Sequence, residues 1–258
     1  MIKGILKTIF YKICVLLESL LGDKKARILM YHSFKKDDVF FNVKPESFLE
    51  QINYLQEKSF TFITVSELFT KIKNKENISK HIALTFDDGH KDFLDFAYPI
   101  LKERNIKSTL FWPTKMSGNI LKTSTGMECE ILSIEDVKNI FSSGLVELGS
   151  HGVTHREFTK ISDIDLEDEI EVSREDIKNI TSFYPESVAY PRGKFSQKVI
   201  EVARSSGFKY GLTVKEGGID KNTDLFRIPR ISIDSSVDMF KFRAKLSSFY
   251  AIVSSWRG

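Results

Sequence analysis

The sequence predicts an α/β fold built on about seven parallel strands, as a barrel or as an open sheet. Three observations lead there. Short apolar runs alternate with helical patterns along the chain. No repeat, low-complexity tract or Pro/Gly/Ser-rich linker interrupts them. The residues suited to chemistry stand directly after three of the apolar runs, where folds of this class gather their active groups.

The strand candidates are RILMY (27–31), IALTF (82–86), STLFW (108–112), LVELG (145–149), SVAY (187–190), YGLTV (210–214) and RISI (230–233). Helical patterns cover 45–58, 92–105, 133–144, 162–180 and 196–207. Pro99 should kink the second of these. Ser133 and Gly144 read as the N-terminal and C-terminal caps of the third.

Residues 1–26 form an amphipathic helical unit. Ile2, Ile5, Leu6, Ile9, Phe10, Ile13, Leu16, Leu17 and Leu20 recur at helical spacing, with Lys3, Lys7 and Lys12 largely on the other side. Lys7, Lys12 and Glu18 break the apolar run, so it falls short of the roughly 20 apolar residues of a membrane span. No small-residue cleavage site is evident. The helix either packs on the domain or lies on a membrane surface through residues 1–21, with an uncleaved export signal as a third reading. The segment 22–26, GDKKA, marks the boundary, and 27–258 read as one domain.

The totals exclude several classes. In 258 residues, 41% are hydrophobic and 28% charged, a soluble globular balance. A net charge of +3 gives no support to nucleic-acid binding. Two distant cysteines, Cys14 and Cys129, suit neither a disulfide framework nor a Cys-based zinc site.

The chemistry lies in three segments. Thr85-Phe86-Asp87-Asp88-Gly89 places adjacent carboxylates at the end of a buried strand. That is costly unless something uses them. A divalent metal on one would leave the other free as a base, whereas the plain alternative is a turn. Ser150-His151-Gly152-Val153-Thr154-His155 holds two of the five histidines, four residues apart. Imidazole suits zinc-like metals. Asp plus two His leaves a coordination position open for water, as catalytic rather than structural sites do. Ala189-Tyr190-Pro191-Arg192-Gly193 forms a tight loop in which the Arg192 backbone N–H can face the site.

These segments resemble the polysaccharide deacetylase family, the NodB-homology carbohydrate esterases, over roughly residues 27–233. TFDDG looks like the family's first motif. SHGVTH looks like its second, with Gly152 where Ser or Thr is common, and YPRG matches the third in part. The resemblance implies a distorted (β/α) barrel of seven strands. It implies Asp87 as general base and Asp88, His151 and His155 as ligands of a divalent metal, zinc by default, with cobalt or nickel as substitutes. Two departures follow. Ala189 stands where many members carry an Arg that orients the base, so Arg230 is the candidate replacement. No His follows His155, so the usual C-terminal acid is missing. The segment Met30-Tyr31-His32-Ser33 resembles poly-N-acetylglucosamine deacetylases and makes His32 the candidate acid, with a core or cap histidine as the alternative.

The implied activity is hydrolysis of the acetamide of an N-acetylated sugar in cell-envelope polysaccharide biosynthesis. Without a recognised export signal, a cytoplasmic enzyme at the inner membrane face, acting on a nucleotide- or lipid-linked saccharide precursor, is favoured. A deformylase of a lipid-linked amino sugar, an inactive carbohydrate-binding relative and a two-His-one-carboxylate iron oxygenase are the competing readings. His81 and His90 are expected to be solvated. The poorly patterned stretch 114–132 is expected to form a substrate loop or lid.

Overall fold

The computed structural model describes residues 9–14, 16, 25–35, 41–122, 128–247 and 249–250. In chain order these give β1 (Arg27–Tyr31), α1 (Pro45–Glu57), β2 (Thr61–Phe62), α2 (Val65–Lys73), β3 (His81–Phe86), α3 (Tyr98–Glu103), β4 (Ser108–Trp112), β5 (Ile120–Lys122), β6 (Glu128–Glu130), α4 (Ile134–Ser142), β7 (Val146–Ser150), α5 (Asp163–Thr181), β8 (Ser187–Ala189), α6 (Gln197–Ser205), β9 (Tyr210–Leu212), β10 (Ile231–Ser232) and α7 (Met239–Lys245).

The main sheet runs β10-β1-β3-β4-β7-β8-β9, all parallel, with β2 pairing β3 at one side. Each of the seven strands read from the sequence is present. Between β9 and β10 the sheet closes through irregular chain: Ile228 N donates to Gly211 O, Thr213 N to Ile228 O, and Arg230 N to Lys215 O. The result is the distorted barrel.

Side chains alternate along these strands. Ile28, Ala83 and Phe111 join Leu212 and Ile228 in one buried cluster that α2 closes with Val65, Leu68 and Phe69. Their neighbours Leu29, Ile82, Leu84, Phe86 and Leu110 face the other way, into a larger cluster under α1, α3 and α4. In β3, Ala83 and Thr85 face inward, and Asp87 continues that series.

Ser133, Ser162 and Ser196 cap α4, α5 and α6 through their side chains. Gly144 follows α4 at φ +70°. The helix expected at 92–105 divides: a π-helical turn, Phe93–Ala97, runs into α3 with Pro99 in its first turn. Proline lacks the N–H that a continuous ladder would use there.

The stretch 114–132 has more order than its composition suggests. A 3₁₀ turn (Thr114–Met116) precedes the hairpin β5–β6. The hairpin is tied to the chain just after β3: Leu132 N donates to Gly89 O and Lys91 N to Glu130 O.

Of the leading helix, residues 9–14 and 16 are helical. Tyr11 and Cys14 are buried against Ala244 and Tyr250, while Ile9, Ile13 and Leu16 are exposed. Most of the expected boundary at 22–26 lies outside the described residues. Among the described residues, no helix is long and apolar enough to cross a membrane.

Candidate metal centre

Parallel pairing brings the strand ends to one rim. Tyr31 pairs with Phe86, and Asp87 N extends the ladder by donating to Tyr31 O at 2.9 Å. Trp112 pairs with Ser150, and His151 N donates to Trp112 O at 3.2 Å. The segments after β1, β3, β7 and β8 therefore meet.

Asp87 and Asp88 point to different surroundings because adjacent residues at a strand end alternate. Asp87 faces the barrel interior. There the Arg230 guanidinium forks it, with Nη1 on Oδ1 and Nη2 on Oδ2, both at 2.7 Å. Arg230 is itself held by Nε donating to Thr213 O at 2.9 Å and Nη1 to Thr85 Oγ1 at 3.2 Å. Its guanidinium lies 5.6 Å from the Phe111 ring centroid. Burial alone would raise the Asp87 carboxyl. The Arg230 charge, His151 and the Arg230 hydrogen bonds outweigh it, and the net shift is downward.

Asp88 turns outward at φ +68°, followed by Gly89 at φ +64°. A side chain on Gly89 would meet Trp112 Cδ1 at 2.6 Å, so both the backbone angle and the space demand glycine. Asp88 Oδ1 lies 3.1 Å from His151 Nε2 and 3.1 Å from His155 Nε2. Burial pushes its carboxyl up, but His155, with hydrogen bonds from His151, His155 and His90, brings it well below the usual range. His151 Nδ1 lies 2.8 Å from Ala189 O. A carbonyl only accepts, so Nδ1 carries the proton and Nε2 offers its lone pair when the ring is neutral. Burial lowers the His151 pKa, but the Asp88 hydrogen bond and the Asp87 and Asp88 charges more than reverse that.

The ligand atoms of Asp88, His151 and His155 all lie within 4.8 Å of one another. An ionised carboxylate, an imidazole in the Nδ1–H tautomer and a second imidazole fit a divalent cation, and three protein donors leave room for water.

His32 follows β1 beside Asp87, half-buried, its ring centroid 5.1 Å from that of Phe41. Burial lowers its pKa and prevails over the opposing pull of Asp88 and Asp87, with His90 and Arg230 adding to the lowering. Arg192 is exposed, with its backbone left-handed at φ +58°.

One expectation is corrected. His90 is buried, and its Nε2 lies 3.4 Å from Asp88 Oδ2. The hairpin β5–β6 covers it, since His90 bridges to Ile131. Its place two residues after Asp88 was the available signal, but the covering hairpin was not legible. His81 sits half-buried at the start of β3, with Nδ1 on Ser79 O at 3.0 Å, remote from the rim.

The sequence model of a family described as polysaccharide deacetylase matches residues 74–211. A Staphylococcus epidermidis poly-beta-1,6-N-acetyl-D-glucosamine N-deacetylase is 26% identical over 261 residues, covering 90% of this chain and 83% of its own. The fold is similar to that of the Streptococcus pyogenes deacetylase PplD in complex with acetate, with a TM-score of 0.76 and 24% identity over 88% of this chain and 100% of that one. It is also similar to IcaB from Ammonifex degensii, with a TM-score of 0.72 and 21% identity over 91% of this chain and 97% of that one.

Proposed function

Because this chain belongs to the polysaccharide deacetylase family, we propose that its rim site hydrolyses the N-acetyl groups of an N-acetylglucosamine-containing polysaccharide. The observation that carries this reading is the division of labour between adjacent carboxylates, Asp87 forked by Arg230 and Asp88 shared by two histidines. An iron oxygenase has no need for the first. An inactive relative has no reason to keep both. The family match and the staphylococcal relative favour a polysaccharide over the nucleotide- or lipid-linked precursor suggested by the sequence alone.

Asp88, His151 and His155 would hold the metal. Zinc is the default, and cobalt or nickel are substitutes. Bound there, a divalent ion supplies Lewis acidity and makes water more acidic. Asp87 accepts the proton of the attacking water. Arg230 keeps Asp87 ionised and fixes its orientation, at the expense of some basicity. The Arg192 N–H is the candidate donor to the developing oxyanion; one such donor is worth about 3 kcal/mol. His32 delivers a proton to the sugar nitrogen as the C–N bond breaks; its lowered pKa makes the imidazolium the minor form near neutrality and the stronger acid. Acetate and a free amino sugar result.

Mass spectrometry of N-acetylated oligosaccharides incubated with metal-loaded protein tests the reaction: loss of acetyl groups is expected, and loss of formyl groups only would favour the deformylase. His32→Ala should slow sugar deacetylation by about 10²–10⁴-fold and an activated aryl acetate less. Equal effects on both would remove His32 as the acid. The exposed Ile9, Ile13 and Leu16 support a peripheral membrane contact through residues 1–21. Deleting residues 1–24 should abolish flotation with anionic liposomes, and unchanged flotation would dismiss that contact.

A further inference from the structure

The loop carrying both histidine ligands, residues 151–155, belongs to no helix or strand, and it ends with His155 in a left-handed conformation, φ +60°. A non-glycine residue there is strained and persists only where its surroundings impose it. Those surroundings come from one face of α5. Glu169, Ser173 and Asp176 stand at i, i+4 and i+7, so they line one stripe of the helix. Glu169 and Ser173 are buried.

Glu169 makes the decisive contacts. Its Oε2 accepts from Val153 N at 2.8 Å and Thr154 N at 3.0 Å, and its Oε1 accepts from Thr154 Oγ1. Ser173 donates to Ile170 O, and Ser150 Oγ accepts from Gly152 N, so the 2.6 Å bond between the two serines runs from Ser150 to Ser173. Asp176 accepts from Thr114 Oγ1 at 2.7 Å, and Thr114 N and Lys115 N in turn bond Gly152 O and Val153 O. The amides of residues 152–154 are thus all held through α5, two of them by one carboxylate. Gly152 fits the same arrangement: at φ +79°, a side chain there would meet Glu169 Oε2 at 2.8 Å.

We propose that Glu169 is a positioning residue for the metal centre, setting the 151–155 loop so that both Nε2 atoms converge on Asp88 Oδ1. The inference rests on the reading of Asp88, His151 and His155 as ligands. The Glu169 hydrogen bonds go to Val153 and Thr154, so it acts through the chain between the two histidines. Partners of this outer kind typically contribute 10–100-fold to metal affinity.

The test is Co(II) affinity of the stripped protein by chelator competition, with the visible spectrum of the bound ion and the melting temperature of the metal-free form. Glu169→Ala should weaken Co(II) binding by about 10–100-fold and alter the spectrum, while the metal-free form still melts cooperatively. Glu169→Gln should bind nearly as the wild type does, because the amide oxygen still accepts from both backbone N–H groups and the amide can donate to Thr154 Oγ1. If the alanine variant does not fold, Thr154→Val removes one of the three bonds and should still weaken binding measurably. Unchanged affinity in Glu169→Ala or Thr154→Val overturns the inference. So does a Glu169→Gln variant as weak as the alanine one, since charge rather than geometry would then be at work. Wild-type protein that takes up no Co(II) overturns the metal reading itself and this inference with it.

Discussion

The barrel holds a carboxylate near each end, Asp87 buried and Glu147 half-buried, and the two are treated differently. At the C-terminal rim, Asp87 meets a guanidinium in a two-point fork. Near the other end, Glu147 on β7 accepts from Ser66 N at 3.2 Å, Ser66 Oγ at 2.5 Å and Thr109 Oγ1 at 3.2 Å. Desolvation pushes both carboxyls upward. For Asp87 a full opposing charge more than offsets it, and the pKa falls. For Glu147 burial prevails over the hydrogen bonds from Ser66, Thr64 and Thr109, and the pKa rises. Dipoles satisfy a buried carboxylate without compensating its charge, and a guanidinium does both. The end of the barrel that carries the chemistry is the end that provides a charge.

The sharpest way to break this comparison is to exchange the roles at the rim. Asp87→Asn should lower kcat by about 10²–10⁴-fold, because an amide cannot take the proton of water. Metal content should stay stoichiometric, since Asp87 is engaged by Arg230 rather than by the histidines. Asp88→Asn should instead lose the metal. Metal analysis beside kinetics for both variants decides it; metal loss in Asp87→Asn with retention in Asp88→Asn would reverse the two assignments.

Much of this site could be read from the chain, and the reasons are local. Asp87, Asp88, His151 and His155 stand at the ends of apolar runs, and parallel pairing carries strand ends to one rim whatever the details of closure. Arg230 required more: a missing arginine at Ala189 pointed to a substitute, but its approach depends on irregular chain around residues 213–230 that has no periodic signature. The burial of His90 was not legible because it comes with β5–β6, a hairpin whose three-residue strands are too short to carry a periodic signature. Glu169 left no sequence signal. It is one acidic residue among many on α5, and the loop it holds lies 15 residues upstream of it at Thr154.

A smaller effect on turnover, though a larger one on stability, is expected from Arg230→Ala. Removing one partner of a buried pair costs about 3–5 kcal/mol when the other stays charged. With the guanidinium gone, burial prevails at Asp87 and its pKa should rise above 3.8 rather than fall below it. The sign follows. In the wild type the folded pKa is depressed, so this pair's contribution to stability is present above 3.8 and lost as the pH falls through the folded value. In the variant that contribution is gone, and the base ionises only at higher pH. The acid limb of the rate–pH profile should therefore move upward. A limb that does not move would mean that Arg230 does not set the ionisation of Asp87.

The smallest effect is expected at the other end of the barrel, and its sign is opposite. Glu147 has a folded pKa raised above 4.5. Its contribution to stability is therefore fully present below 4.5 and lost as the pH rises through the folded value, where the desolvated carboxyl must ionise. Glu147→Gln cannot ionise. Its amide oxygen can still accept from Ser66, and its amide can donate to Thr109 Oγ1, so the packing is kept. At pH 7 the two proteins should differ by about 1 kcal/mol or less, with deacetylation unchanged because Glu147 lies far from the rim. The informative quantity is the slope. Melting temperatures of metal-free wild type and Glu147→Gln, measured from pH 4 upward, should draw together or cross in favour of the variant as the pH rises. A gap that widens against glutamine over that range would show that the Ser66 and Thr109 bonds outweigh burial and that Glu147, like Asp87, is held as an anion.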